Sequence, residues 1–334
     1  MTTGIAILGA GRIGRAHARA IASTAGARLV AISDPVVGAA QSIQDTYGCA
    51  IRTIAEIAAS DDVDAVAICT PTDTHADLIE QFSRVGKAVF CEKPVDLSLA
   101  RVQQCLKVVD ETKATLMVGF NRRFDPDFMA VKAAIDAGQV GKVEMVTIIS
   151  RDPGAPPADY ITRSGGIFRD MTIHDFDVAR WLLGEEVESV VAVGAVLTDL
   201  AIGKLGDYDS VNVILRTPSG RQAIITNSRR ATYGYDQRIE VLGSKGMVSA
   251  GNTHESTLEF AGENGFTRPP LLNFFMQRYA IAYGNEIAAF VGAIANGTQT
   301  PTTGHDGLMA LALAEAAVIS AKEARTVTLA EVLG

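Results

Sequence analysis

The stretch Gly4-Ile5-Ala6-Ile7-Leu8-Gly9-Ala10-Gly11-Arg12-Ile13-Gly14-Arg15-Ala16-His17 decides the fold of this chain. Its first five residues are an apolar run that reads as a buried strand. Beyond Gly14 it continues through Ala18-Arg19-Ala20-Ile21-Ala22, good helix formers with no breaker. A strand, a Gly-x-Gly-x-x-Gly turn and a helix in that order form a dinucleotide fingerprint. Gly9 allows the tight turn, Gly11 lets a pyrophosphate approach the backbone, and Gly14 lets the helix pack close to the strand. Arg12 and Ile13 open the helix, whose free N–H groups and positive end suit the phosphates.

A second strand, Ala27 to Ser33, ends in Asp34, about twenty residues past Gly14, where an acid can accept both ribose hydroxyls. Taken alone, Asp34 before Pro35 also reads as a turn residue. No Arg or Lys follows closely to meet a 2′-phosphate, which favours NAD over NADP. Strands and helices go on alternating: a helix over 38–47, a short strand over 49–52, and a capping box at Thr53-Ile54-Ala55-Glu56. A fourth strand, Val63 to Cys69, precedes a helix from about Thr74 to Gly86. A fifth, Ala88 to Cys91, precedes a helix from Ser98 to Thr112, and Thr115 to Phe120 is the sixth. Near-continuous apolar strands between amphipathic helices predict a doubly wound (Rossmann) parallel sheet over residues 1–120.

The pattern changes over residues 121–334. A helix from Pro126 to about Ala137 leads into a strand over 143–149, with strand-like runs over 187–197, 210–216, 222–228, 237–242 and 257–260. Pro218-Ser219-Gly220 and Gly243-Ser244-Lys245-Gly246 read as hairpin turns. These features predict an α+β domain with a large, mostly antiparallel open sheet, helices on one side. An open face of that size suits a subunit interface, so a homo-oligomer, tetramer or dimer, is expected.

Composition narrows the partners. The chain has 334 residues, 48% of them hydrophobic and 20% charged, enough for two cores. A net charge of −8 argues against nucleic acid or an anionic membrane as partner. The apolar run from Leu308 to Ile319 is too short to span a bilayer and contains Glu315. No N-terminal segment combines a basic start, an apolar stretch and a cleavage site. Cys49, Cys69, Cys91 and Cys105 form no CxxC, and Cys69 and Cys91 read as buried free thiols. A soluble protein of a reducing compartment, the cytoplasm, is expected.

Ligands in this architecture bind at the carboxyl ends of the strands. The fourth strand runs into Thr70-Pro71-Thr72-Asp73-Thr74-His75 and the fifth into Glu92-Lys93-Pro94. Lys93, extended before a proline, points into the cleft; in isolation it also reads as a solvated lysine paired with Glu92. His75 near a helix start reads either as a surface or capping residue or as a contact to nicotinamide. A second cluster is Asp170-Met171-Thr172-Ile173-His174-Asp175-Phe176-Asp177. On one helix, Asp170, His174 and Asp177 are four and three apart and share a face. Carboxylate, imidazole and carboxylate facing a cleft make an acid–base device or a metal site. Singly, they read as an N-cap, a core histidine and a partner of Arg180.

Together Gly9–Gly14, Asp34, Glu92-Lys93-Pro94, Gly119-Phe120-Asn121-Arg122-Arg123-Phe124 and Asp170-x-x-x-His174-x-x-Asp177 resemble the Gfo/Idh/MocA oxidoreductase family over nearly the whole chain. Ser150-Arg151-Asp152-Pro153 and the run from Tyr233 to Glu240 are similar to its inositol 2-dehydrogenase branch. The resemblance implies a catalytic trio of Lys93, Asp170 and His174, and NAD bound by the glycine turn, Asp34, Thr70, Pro71, Thr72, His75, Glu92 and Lys93. It implies oxidation of a cyclitol secondary alcohol, myo-inositol first, to the ketone. An imidazole, with an ordinary pKa of about 6.5, suits removal of the hydroxyl proton. Lys93 would donate to the substrate oxygen and Asp170 would hold both groups, with no metal needed. Arg123, Asp152, Thr172, Asp177, Tyr233 and Tyr235 are candidates for the remaining hydroxyls, one of the two tyrosines being structural. Arg123 reads equally as a tie between the domains. The stretch 152–166 is a loop over the cleft, and Tyr279 and Tyr283 belong to the core. Alternatives are another inositol isomer or an aldose as substrate, an NAD-dependent glycosidase, or a non-catalytic NAD sensor.

Overall fold

Thr3–Leu8 forms β1, buried along its whole length, in a computed structural model that describes residues 2–334. It leads into α1 (Arg12–Ser23), β2 (Ala27–Ser33), α2 (Val37–Tyr47), β3 (Ala50–Ile51), α3 (Ile54–Ala59) and β4 (Ala65–Ile68). Then come α4 (His75–Arg84), β5 (Ala88–Glu92), α5 (Leu99–Thr112) and β6 (Leu116–Gly119). The six strands make one parallel sheet in the order β3-β2-β1-β4-β5-β6. The expected capping box is present: Thr53 Oγ1 accepts from the Glu56 amide while Glu56 reaches back to the Thr53 amide.

The later elements are α6 (Pro126–Asp136), β7 (Val143–Arg151), α7 (Ala158–Ser164), α8 (Ile167–Asp170), α9 (Thr172–Leu183), β8 (Ser189–Ala195) and α10 (Leu200–Lys204). They are followed by β9 (Ser210–Arg216), β10 (Gln222–Ser228), β11 (Asp236–Gly243), β12 (Gly246–Ala250), β13 (Phe260–Gly262) and β14 (Gly265–Thr267). The chain ends with α11 (Phe275–Arg278), α12 (Ala280–Asn296), α13 (Gly304–Glu323), β15 (Val327–Thr328) and α14 (Leu329–Leu333). A seven-stranded sheet runs β12-β11-β7-β10-β9-β8-β15, with only the β7–β10 pair parallel. Helix α9 packs on β7 and β10. The other face exposes Met145, Val191, Val193, Ile214, Ile224, Leu242 and Met247. Both expected hairpins form, joining β9 to β10 and β11 to β12. The run over 257–260 contributes only Phe260, at the start of the exposed β13–β14 ribbon. No wider sheet covers it, so its apolar residues found no core.

The division of the chain differs from a single boundary near residue 120. One compact unit takes the chain up to Phe124 and again Ala280–Met309; the other takes Asp125–Tyr279 and Ala310–Gly334. The return has a physical reason. β6 is an edge strand, and unpaired edge groups need partners. Thr300 donates to the Leu116 carbonyl at 2.6 Å, and Val118 and Thr302 exchange hydrogen bonds of 2.9 and 2.6 Å. Helix α12 meanwhile packs on α1.

Candidate functional site

In the first unit Gly9 and Gly14 stand as their spacing predicts. Gly9 has φ +100°, and a Cβ on Gly14 would lie 1.9 Å from the Gly9 carbonyl oxygen. A Cβ on Gly11 would meet nothing within 4 Å, so the space above that residue is open. No side chain caps the first turn of α1 and no acidic residue stands in it. The positive helix end is therefore available to an anion. Asp34 crosses the turn: Oδ2 accepts from the Ala10 amide at 2.5 Å and Oδ1 from the Val36 amide at 2.7 Å. A carboxylate has about four lone-pair sites, so acceptor capacity for ribose remains. Val36 and Val37 beside it are exposed, with no cation at the start of α2. An open glycine cradle, an uncapped helix end and a placed acid fit NAD.

Behind the cradle the structure joins residues that were read separately. Thr70 shares a hydroxyl hydrogen bond of 2.6 Å with Thr74, and Thr72–Thr74 is a 3-10 turn after Pro71. His75 is almost fully buried, with Nδ1 2.8 Å from the Pro94 carbonyl and Nε2 2.8 Å from that of Thr70. This corrects the expectation that His75 touches nicotinamide. Both ring nitrogens face backbone, so the residue braces the loop after β4 against the chain after Lys93. Glu92 has its Oε1 2.6 Å from Nε2 of His17 on α1. Opposite Glu92 on β6 stands Gly119, where a Cβ would come within 3.2 Å of the carboxyl carbon. His17 was missed as a functional candidate; a lone imidazole in a helix of alanines and arginines was its signal. Arg123 holds Asp306 at 2.8 Å and the Pro301 carbonyl at 3.2 Å, a tie within this unit.

In the second unit Asp170 and His174 do not share one helix. Asp170 closes α8 and His174 lies in α9, with Met171 between them at φ −96°, ψ −58°. Asp170 is an N-cap to neither helix. Its Oδ1 accepts from the Tyr160 hydroxyl at 2.8 Å and its Oδ2 from Arg229 at 3.4 Å. Asp177 is fully buried, and Arg180 pairs with Glu186. Thr172 is fully buried and gives its hydroxyl to Asn227 at 2.6 Å, which corrects its assignment to substrate. Asn227 in turn donates to Asp175 at 2.8 Å, so these three form a core network between α9 and β10.

Tyr233 and Tyr235 lie in the turn before β11, not on a strand, with Gly234 between them at φ +122°. As expected, one of them is structural: Tyr235 is buried edge-on to Tyr279, ring centres 6.0 Å apart. Tyr279 and Tyr283 are both core. Tyr233 is half exposed, donates to Asp236 at 2.5 Å and accepts from Arg151 at 2.9 Å. It lines a cavity of about 330 Å³ with Arg151, Asn227 and Arg230. Asp152 extends β7 through backbone bonds to Ser228 and Ala231. Among the described residues no cluster of His, Cys, Asp or Glu has metal-holding geometry, and no helix is long and apolar enough to cross a membrane. Cys91 and Cys105 are buried free thiols, whereas Cys69 is only partly buried; burial pushes the Cys105 thiol up to about 12.

Two sheets of this kind, with a dinucleotide cradle in the first, define an NAD-binding oxidoreductase of the Gfo/Idh/MocA class. Residues 3–120 match the oxidoreductase family with an NAD-binding Rossmann fold, and residues 128–249 match the GFO/IDH/MocA C-terminal domain; the chain belongs to that family. It is 64% identical over 330 residues to the inositol 2-dehydrogenase of Rhizobium meliloti strain 1021, covering 99% of this chain and 100% of that protein. It is 45% identical to the myo-inositol 2-dehydrogenase of Thermotoga maritima, covering 99% of each. The structure of a myo-inositol dehydrogenase from Corynebacterium glutamicum superimposes with a TM-score of 0.95 at 43% identity, covering 98% of this chain and 99% of that one. That of scyllo-inositol dehydrogenase from Lactobacillus casei, with NAD(H) and scyllo-inositol bound, superimposes at 0.92 and 30% identity, covering 99% and 100%.

Proposed function

We propose that this enzyme oxidises myo-inositol to its 2-keto form with NAD. The observation that carries this reading is the open Gly11 cradle with Asp34, in a chain 64% identical along its length to an inositol 2-dehydrogenase. Bound NAD supplies the acceptor for the hydrogen leaving carbon. His174 takes the hydroxyl proton as general base. Lys93 donates a hydrogen bond to the same oxygen and opposes the negative charge that develops there. Asp170 orients the imidazole of His174. Arg123, Asp152 and Tyr233 remain candidates for the other ring hydroxyls, whereas Asp177 is fully buried. Buried polar groups left unpaired by a wrong isomer would then enforce selectivity.

NADH formation measured over a panel of inositols and aldoses tests the substrate. Myo-inositol should give the highest kcat/KM; a higher value for an aldose or another inositol would overturn the assignment. Release of aglycone from a glycoside without net NADH would mark the glycosidase chemistry instead.

The exposed sheet face supports assembly with further copies of the chain. Val191, Ile214 and Ile224 are cross-strand neighbours on it, and Met145, Leu242 and Met247 form a second row. Contiguous apolar surface of this kind favours burial against another subunit.

A further inference from the structure

We propose that Arg229 and Tyr160 are positioning residues that hold the Asp170 carboxylate in its working orientation, Arg229 from inside the fold and Tyr160 from α7. The inference rests on the reading of Asp170 as part of the reacting set.

Arg229 follows β10 directly and is 1% exposed. Its amide donates to the Asp209 carbonyl at 2.8 Å, which fixes where the side chain starts. The guanidinium then reaches two carboxylates, Nη1 to Asp170 Oδ2 at 3.4 Å and Nη2 to Asp207 Oδ2 at 3.5 Å. Asp207 is itself fixed, because Oδ1 accepts from the Ile167 amide at 2.9 Å. Ile167 begins α8 and Asp170 ends it, so one buried cation ties both ends of that short helix. The approach of Asp207 depends on Gly166, where φ is +84° and a Cβ would stand 2.7 Å from Asp207 Oδ1.

The remaining oxygen of Asp170 accepts from the Tyr160 hydroxyl at 2.8 Å. Each carboxylate oxygen thus has an external donor, which stops rotation of the group while leaving further lone pairs for other partners. The fork of an arginine can span two carboxylates where a lysine offers only a point charge. A buried guanidinium also demands compensation, so Arg229 cannot drift from both acids. Tyr160 is different in kind. It is 42% exposed, so its hydroxyl contributes little to the core and its effect would be felt through Asp170.

The test measures steady-state kinetics with NAD and myo-inositol, NAD affinity and thermal unfolding for Tyr160→Phe, Arg229→Lys, Asp207→Asn and Asp170→Asn. Tyr160→Phe should fold normally, bind NAD as before, keep its KM for the polyol within about twofold and lose kcat by about tenfold, the loss typical of one hydrogen bond to a charged group. Arg229→Lys should lose more, about a hundredfold, and Asp207→Asn an intermediate amount. Should Arg229→Lys fail to fold, Tyr160→Phe carries the test by itself. An inactive Asp170→Asn beside a Tyr160→Phe with wild-type kcat would overturn this inference and leave the reading of Asp170 standing. An active Asp170→Asn would overturn both.

Discussion

The imidazole Nε2 of His17 lies 2.6 Å from Oε1 of Glu92, although 75 residues separate them in the chain. The contact links α1, which follows the glycine turn, to the end of β5, one residue before Lys93. His17 also packs against Phe90 and edge-on to Tyr283. Replacing His17 by Leu keeps much of the packing but leaves the Glu92 carboxylate without this partner. The cost should be about 1–3 kcal/mol in urea unfolding, with weaker NAD binding by fluorescence titration. Unchanged NAD affinity would show that the tie does not steady the cradle.

Glu286, on α12, is fully buried, and neither carboxyl oxygen has a hydrogen-bond partner among the described residues. Burial pushes its carboxyl well above the usual range, and the nearby negative charge of Glu92 adds to this. An unfolded glutamate titrates near pH 4.3, so above that pH folding must restore a proton to Glu286 and stability falls as pH rises. Glu286→Gln removes that dependence. Its stability relative to wild type should be level near pH 4 and grow with pH by at most about 1.4 kcal/mol per unit. Unfolding curves at pH 4, 6 and 8 check this, and parallel pH profiles would refute it.

Asp34 is the residue proposed to set the choice of dinucleotide. Substituting Asp34→Ser together with Val36→Arg removes the carboxylate and supplies a cation for a 2′-phosphate. The ratio of kcat/KM for NAD over NADP should fall by at least about a hundredfold, about 3 kcal/mol of discrimination. An unmoved ratio would take Asp34 out of the ribose site.

Lys93→Ala and His174→Asn should each lower kcat by about a hundredfold or more while NAD binding stays within a few-fold. Stopped-flow NADH formation and NAD titration separate the two effects. Retained turnover in either variant would remove that residue from the chemistry.

Ile214 and Ile224 face each other across β9 and β10 on the exposed sheet surface. A double change to glutamate places two charges on the surface proposed to be covered by another copy. Light scattering should report smaller particles than wild type, with little change in far-ultraviolet circular dichroism. An unaltered mass would locate the interface elsewhere.

Local chemistry made a large part of this molecule legible in its sequence. Apolar runs of four to seven residues gave the strands of the parallel sheet, and the turn residues gave the hairpins, because hydrophobic period and φ preference are properties of neighbouring residues. The glycine turn was readable for the same reason: Gly14 sits where the Gly9 carbonyl leaves no room for a Cβ. Polar partnerships between distant segments have no such period. Only the folded chain brings Arg229 to Asp170, Glu92 to His17 and Asn227 to Thr172. It also decides that His75 is a brace, that α8 stops at Asp170, and that residues 280–309 return to the first unit to cover the β6 edge. Periodicity reports which face of an element is buried; what a buried charge or edge strand is buried against depends on segments far along the chain.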